Sequence, residues 1–376
     1  MKALEGIRVL DLTHAHAGPI CTYYMAAMGA EIIKVEPPWG EMNRFFPPLV
    51  KGVSPYFAHL GRGKKSVTLN LKDPRGKEMF KEMAKKADVV MENFSPGTID
   101  DLGLGYETLR ELNPGIIFAS ISGFGQTGPW RERRSFDAIA QAASGYMWLT
   151  GECVDPEGPP LKGAEAIADT VPGLTALIGI LAALNHRNNT GRGQRIDVAQ
   201  MDSMISVMQS FSFWNLARTT FGVALNDRVD RAFGIHRAKD GYVVFMAPEG
   251  RLTDWFRELL GVEDLERGVV EEWVAERTVD EVVETLAETG IPVAPVLNLD
   301  EVMENEQALH REMFVKVDHP ALGETTLPGF PIKFSETKGD VTTPAPLLGQ
   351  YNSEVYSKLL GLSEDEIETL RKDGVI

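Results

Sequence analysis

Ile7-Arg8-Val9-Leu10-Asp11-Leu12 is short, apolar and rich in β-branched side chains, residues 19–28 have the composition of a helix, and Glu31-Ile32-Ile33-Lys34-Val35 returns to the β-branched pattern. Strand, helix and strand within about 30 residues mark a parallel βαβ unit, because parallel strands need a crossover long enough to hold a helix.

The alternation continues outward from this unit. Residues 72–86 form an amphipathic pattern that Asp73-Pro74 is suited to start; strands are expected over 87–91 and 116–121, with a helix over 107–112 between them. Gly- and Pro-rich residues 122–129 read as turns, before a helix over 136–144. Residues 172–187 predict a long helix, apolar on nearly every face and therefore buried. A polar turn, a strand over 196–199 and a helix over 201–216 follow.

The composition then changes. A short strand (242–246) lies among charged helices over 252–260, 279–288 and 300–313, and Glu271, Glu272, Glu276, Asp280, Glu281, Glu284 and Glu288 make this part acidic, as a solvated helical face is. Residues 314–334 are β-like, and 349–376 hold two closing helices. The expected organisation is α/β. A Rossmann-like large domain over 1–200 is completed by 325–376, a small α+β domain spans 222–315, and 201–221 and 316–324 are linkers.

At roughly 150 residues per domain, 376 residues accommodate about two domains and exclude a small disulfide scaffold. Lys and Arg total 38 against 54 Asp and Glu, and the resulting −16 argues against nucleic acid or an anionic membrane as the main partner. Cys21 and Cys153 form no CxxC pair, so neither a disulfide framework nor a thiolate metal site is expected, and the usage fits a reducing cytoplasm. The N-terminal run carries Glu5 and Arg8 and no signal-peptide core, and the longest apolar run, residues 173–184, is too short to span a bilayer. These features place the chain in the cytoplasm, without a membrane.

Candidate chemistry starts in the loop Thr13-His14-Ala15-His16-Ala17-Gly18-Pro19, between strand and helix, where open α/β sheets bind ligands. Glu36 ends the second strand, where an acid would hold a dinucleotide's ribose. The Gly-x-Gly-x-x-Gly fingerprint is missing, however, and Pro19 offers no N–H to a phosphate, so a dinucleotide reading is weak. Two basic clusters stand out, Arg62, Lys64 and Lys65, and Arg131, Arg133 and Arg134; each reads either as a phosphate site or as exposed loop charge. Asp169, shortly before Pro172, is either a helix N-cap or a nucleophilic carboxylate, and local sequence leaves both open.

An ordered set of fragments extends across nearly the whole chain. Leu4-Glu5-Gly6-Ile7-Arg8-Val9-Leu10-Asp11-Leu12-Thr13, Ala17-Gly18-Pro19 and Gly29-Ala30-Glu31-Ile32-Ile33-Lys34-Val35-Glu36-Pro37 open it. Arg62-Gly63-Lys64-Lys65-Ser66, Asn70-Leu71-Lys72, Glu92-Asn93-Phe94-Ser95-Pro96-Gly97, Ser122-Gly123-Phe124-Gly125, Thr190-Gly191-Arg192-Gly193-Gln194 and Leu360-Gly361-Leu362-Ser363 follow in order. This set resembles the class III CoA-transferases, the family of formyl-CoA transferase and crotonobetainyl-CoA:carnitine CoA-transferase, with the α-methylacyl-CoA racemases as relatives.

The resemblance implies an interlocked homodimer that moves CoA from an acyl-CoA donor to a small carboxylic acid. CoA is a substrate, and no tightly bound cofactor or metal is implied. Asp169 takes the place of the family's nucleophile, an ionised carboxylate with an ordinary pKa of about 3.9 that forms a mixed anhydride and then an aspartyl-CoA thioester. His16, Ala17, Lys72, Asn93, Phe94 and the stretch Arg134 to Asp137, which includes Phe136, match CoA contacts, with His14 close by. Phe94 or Phe136 would face the adenine, and Lys72 and Arg134 would neutralise phosphates.

The chain departs from the family pattern at several points. Gly61 replaces an Asn, Asp101 stands where a phosphate-binding Arg is usual, and Ala247-Pro248-Glu249-Gly250 lies where a glycine-rich flap is expected. A racemase carries His-Asp-Ile-Asn-Tyr where this chain has Phe136-Asp137-Ala138-Ile139-Ala140, so the base for α-carbon deprotonation is missing. The alternatives to CoA transfer are that racemase or epimerase activity and a catalytically silent CoA-binding subunit.

Overall fold

A computed structural model describes residues 2–155, 157–213, 216, 219–222, 234–246 and 250–376. The opening βαβ unit forms as its pattern predicts: β1 (Arg8–Asp11), α1 (Ala17–Ala27) and β2 (Glu31–Glu36), with β1 and β2 parallel. Next come α2 (Pro55–Leu60), β3 (Lys64–Thr68), α3 (Pro74–Ala84), β4 (Val89–Glu92), α4 (Thr98–Asp101), α5 (Tyr106–Leu112) and β5 (Ile117–Ser122). Then α6 (Asp137–Ala143), α7 (Tyr146–Val154), α8 (Ile167–Thr190), β6 (Arg195–Ala199), α9 (Gln200–Val207) and α10 (Ser210–Phe213) complete the first stretch.

The six strands form one parallel sheet in the order β3-β2-β1-β4-β5-β6, the order of a Rossmann fold. Successive residues of a strand face opposite sides, and two cores record this. Val9, Ile32, Val89 and Ile117 enter one core with α1 and α8, while their neighbours Leu10, Ile33, Val90 and Phe118 enter the other with α3 and the C-terminal helices.

A second compact unit, Gln209–Leu309, interrupts the first, which resumes at His310. It pairs β7 (Gly234–Arg237), β8 (Tyr242–Phe245) and β9 (Val293–Pro295) as an antiparallel sheet, with α11 (Arg251–Leu260), α12 (Arg267–Ala275), α13 (Val279–Ala287) and α14 (Leu299–Glu304). Phe245, Phe256, Val270, Val274 and Leu286 make its core. The helix expected over 300–313 is instead two short ones, α14 and α15 (Glu306–His310), broken at Asn305, whose side chain accepts from the Ala308 N–H. After these, β10 (Phe314–His319) and β11 (Gly323–Pro328) form a hairpin, and α16 (Asn352–Leu360) and α17 (Glu364–Lys372) close the chain.

Three features bear on the site. First, α8 begins at Ile167, five residues earlier than the apolar pattern suggests, and contains Pro172. Its 24 residues are long and apolar enough to cross a membrane, but half of its apolar 18-residue window is buried in this fold, as in a core helix. Second, α8 lies close to α1. A Cβ on Gly173 would sit 2.4 Å from the Ala17 carbonyl oxygen, so only glycine permits this approach.

Third, the strand over 64–68 escapes the sequence pattern because it opens with two lysines. Lys64 is buried and donates to Asp11 Oδ2 at 3.0 Å, to Thr22 Oγ1 at 2.7 Å and to the Pro19 carbonyl. Asp11 Oδ1 accepts from the Thr13 backbone N–H at 2.9 Å and hydroxyl at 2.5 Å, and buried Lys34 of β2 lies 4.0 Å away and donates to the Thr13 carbonyl. Burial alone would raise the Asp11 carboxyl. Lys34 and Lys64, with the hydroxyls of Thr13 and Thr22, outweigh it and hold the group far below the usual carboxylate range.

Replacing Asp11 with Ala takes from buried Lys64 its paired carboxylate and leaves Lys34 with Glu41 at 3.9 Å, and removing one partner of such a buried pair costs about 3–5 kcal/mol. Urea denaturation of Asp11→Ala should show a loss of that size. A loss under about 1 kcal/mol would mean that the lysines reach solvent without it.

Candidate active site

The strand order reverses between β1 and β4, so the loops at their C-terminal ends splay apart and open a crevice. A cleft of about 400 Å³ occupies it. Its wall draws on the loop after β1 (His14, Ala15, Ala17), the loop after β4 (Asn93 to Pro96, with Thr98), the end of β5 (Ile121 to Gly123), residues 133–136, and Asp169 and Gln200.

Asp169 is the third residue of α8, and the N-cap position is Ala166, which excludes the capping role. The carboxylate is 8 % exposed. Oδ1 accepts from Gln200 Nε2, and among the described residues Oδ2 takes no hydrogen bond. Burial, and after it the negative charge of Asp137, pushes the Asp169 carboxyl up to about 7, with the Gln200 hydrogen bond opposing. The fully ionised group with an ordinary pKa expected from sequence is therefore corrected: near neutral pH it is poised between its two forms.

Asp137, the first residue of α6, points at the start of α8. Its Oδ1 accepts from the Ala168 backbone N–H at 3.0 Å, and both oxygens accept from Gln141 Nε2 at 3.0 and 2.8 Å. Gln141 in turn donates to the Glu165 carbonyl and accepts from the Gly163 N–H, tying the segment before α8 to α6. Asp137 thus supplies the first-turn anchor that Ala166 cannot, and negative charge is favoured at that helix end.

His16 is not on the wall of the cleft. Nε2 lies 2.9 Å from Thr170 Oγ1, and Nδ1 lies 2.5 Å from the Tyr56 hydroxyl. The Thr170 hydroxyl already donates to the Ala166 carbonyl, so it accepts from His16 Nε2–H, and Nδ1 accepts from Tyr56. Burial lowers the ring to about 4, which matches this neutral tautomer. His14 does border the cleft, its ring 5.7 Å from that of Phe94. Burial, and then the charge of Lys34, lowers it to about 4. Asn93 is spent on the backbone: Oδ1 accepts from His14 N–H at 2.9 Å and Nδ2 donates to His14 C=O at 2.8 Å, clamping the two loops together.

A second cavity, about 440 Å³, adjoins the first at His14, Phe94 and Thr98. Trp39, Met42, Leu69, Leu71 and Leu102 give it an apolar lining, and exposed Lys72 stands on it. Arg134 and Phe136, both exposed, border the first cavity, and the Arg133 guanidinium lies 4.1 Å from the Trp130 ring centre.

The two basic clusters part company. The phosphate reading of Arg62, Lys64 and Lys65 fails because their charges are engaged within the fold. Buried Arg62 donates to the Tyr23 hydroxyl and to the carbonyls of His59, Pro328 and Val341, and Lys65 pairs with Glu31 and Glu354. Glu36 likewise accepts from Arg44 at 2.6 and 2.7 Å and from Ser66 at 2.6 Å, which takes the place of any ribose contact. Arg131, Arg133 and Arg134 remain exposed.

Of the departures, Gly61 has a local cause: a Cβ there would lie 2.8 Å from the Phe57 carbonyl oxygen and 2.9 Å from Ala345 Cβ, so no Asn fits. Asp101 is exposed at the end of α4. In the segment 247–250, where a flap was sought, residues 247–249 lie outside the described residues.

Gln200, Gln141, Tyr56 and Thr170 were not found from sequence. Gln200 carried a usable signal, since it follows the strand expected over 196–199 and ligand-side residues sit at the C-terminal ends of parallel strands. The others join the site through contacts far apart in sequence.

The chain matches the sequence model of CoA-transferase family III over residues 4–352. It is 37 % identical to a formyl-CoA:oxalate CoA-transferase of Streptomyces avermitilis, with all of both chains covered. It is 35 % identical to the succinyl-CoA:glutarate CoA-transferase of Mus musculus, over all of this chain and 91 % of that one. A crystal structure of a CaiB/BaiF family protein from Brucella suis superposes with a TM-score of 0.83 at 30 % identity, covering 95 % of this chain and 99 % of the other. With a Rossmann-type sheet whose crevice ends on a buried aspartate, the chain belongs to CoA-transferase family III and is a CoA-transferase.

Proposed function

We propose that the enzyme transfers CoA between small carboxylic acids through covalent attachment to Asp169. The observation that carries this reading is the Asp169 carboxylate on the cleft wall, with Oδ1 held by Gln200 and Oδ2 unbonded among the described residues. Oδ2 attacks the donor thioester carbonyl, CoA thiolate leaves, and a mixed anhydride forms. Thiolate then attacks Cγ, the donor acid departs, and an aspartyl-CoA thioester remains for the acceptor carboxylate to open by the reverse sequence. The apolar second cavity supports binding of the adenosine end of CoA beside Phe94, with Lys72 and Arg134 against its phosphates. His16 and Asn93, matched to CoA contacts from sequence, act instead by shaping the loop that carries His14 to Ala17.

The relatives' names pair formyl-CoA with oxalate and succinyl-CoA with glutarate or mesaconate. A small mono- or dicarboxylate is the acceptor class proposed here. Incubation with such acyl-CoA donors, trapping with hydroxylamine or borohydride and peptide mass spectrometry should modify Asp169, and Asp169→Ala should abolish transfer while retaining CoA binding. Turnover with Asp169 unmodified would refute the mechanism, and solvent deuterium at the α-carbon of a 2-methylacyl-CoA would point to racemisation.

The nucleophile must be ionised, so kcat/KM should rise with pH through about 7 and then level off. Stability runs the other way. Between the unfolded value near 3.8 and the folded value near 7, the folded chain holds a proton that the unfolded chain has released. Asp169 therefore lowers stability by roughly 1.4 kcal/mol per pH unit across that window. Urea denaturation of wild type and Asp169→Asn from pH 4 to 8 should show the variant gaining relative stability as pH rises, and a pH-independent difference would contradict the raised value.

We also propose a homodimer. The exposed side of α8 carries Ile178, 68 % exposed, and Leu181, an apolar surface that a second chain would cover. Light scattering should give twice the 41.4 kDa chain mass, and a monomer mass would refute this.

A further inference from the structure

Gln200 has no part in the reading above beyond holding Oδ1, yet its backbone is fixed from several sides. It is 5 % exposed and follows directly on β6, whose last residue, Ala199, pairs with Ser122 of β5. The next residue, Met201, donates its N–H to the Gly123 carbonyl at 3.1 Å. One turn on, Met204 packs with Ala140 and Ala168, and Ser203 donates to the Ala199 carbonyl. Strand, loop and helix contacts thus fix the backbone from which the amide reaches Asp169.

We propose that Gln200 is a catalytic residue, its Nε2–H donating to the oxyanion that develops on Asp169 Oδ1 each time Cγ of the acylated aspartate is attacked. The inference rests on Asp169 being the nucleophile. When Oδ2 is bonded to the donor acyl group, Oδ1 is a carbonyl oxygen. CoA thiolate bonds to Cγ, the C=O π pair moves onto Oδ1, and it returns as the Cγ–Oδ2 bond breaks and the donor carboxylate leaves with Oδ2. The acceptor carboxylate later bonds to the same Cγ, Oδ1 takes the charge again, and CoA thiolate leaves. Both steps put the negative charge on the one oxygen that faces Gln200 Nε2. A preorganised donor shielded from water stabilises such charge more than it stabilises the neutral carbonyl. The donor lies on the enzyme's side of the reacting carbon, so it serves any acid the cleft accepts.

The same amide favours the ionised form of the resting carboxylate, against burial and Asp137, which gives the assignment a second readout. Gln200→Met keeps the bulk and removes the donor; Gln200→Glu keeps the shape and places a like charge there. In both, kcat should fall about 10²–10³-fold, as loss of one oxyanion donor does elsewhere, and the acid limb of kcat/KM should move to higher pH. KM for acyl-CoA should stay within about threefold, because ground-state binding is untouched. If the Met variant does not fold, the Glu variant carries the measurement. Wild-type kcat and an unmoved acid limb in a folded variant, with Asp169 still trapped in the wild type, would overturn this inference alone. Failure to trap Asp169 in the wild type would overturn both it and the covalent mechanism.

Discussion

Asp11 is the constraint on which the site depends. Its carboxylate joins three strands and a loop, because Lys34 reaches it from β2, Lys64 from β3, and Thr13 and Thr22 from the loop and helix that follow it. Glu41 lies 3.9 Å from the same Lys34 ammonium, and Glu36 with Arg44 extends the charged network beyond it. Burying such charges adds little net stability, since desolvation offsets most of the attraction. The effect is geometric: any displacement of the loop over 13–19 strands a buried charge. That loop supplies His14, Ala15 and Ala17 to the cleft and meets α8 at the Gly173 contact, so the position of Asp169 follows from the same knot.

At Asp169 opposing effects meet, and those that raise the pKa win. Burial and Asp137 favour the neutral acid; the Gln200 amide and the start of α8 favour the carboxylate. Asp137 belongs to both sides of this account, because the charge that raises Asp169 also anchors the helix that carries it. A better-solvated aspartate would be ionised throughout, but its hydration shell would have to be shed before attack. The structure has removed that water in folding, at a cost in stability that grows as pH rises.

The fold was legible because its signal is local. Apolar runs such as Val89-Val90-Met91 and Ile117-Phe118-Ala119 feed both cores of a doubly covered sheet, and parallel strands show this continuous pattern. The strand over 64–68 escaped because its lysines look like surface charge until Asp11, 53 residues earlier, is placed beside Lys64. Asp169 was legible as a candidate, but its state was not, since its raised pKa comes from burial and then from Asp137, against the Gln200 hydrogen bond, and only the tertiary structure brings these about. The internal partners of His16 and Asn93 were not legible: His16 meets the Thr170 and Tyr56 hydroxyls, and Asn93, on the cleft wall, clamps the His14 backbone.

The net charge of the whole chain does not describe the charge around the cleft. The excess acid includes helices of the second unit, where Glu281 caps α13 and Glu271 pairs with Arg267 along α12. Of the basic residues near β3, Arg62, Lys64 and Lys65 are all engaged internally. Among the described residues, the exposed cations on the two cavities are Lys72, Arg133 and Arg134, a small set on the unit that also holds Asp169. Screening reduces the reach of the remaining acid to about 8–10 Å at physiological salt. A phosphate drawn to these few side chains therefore responds to its near neighbours far more than to the charge of the whole chain.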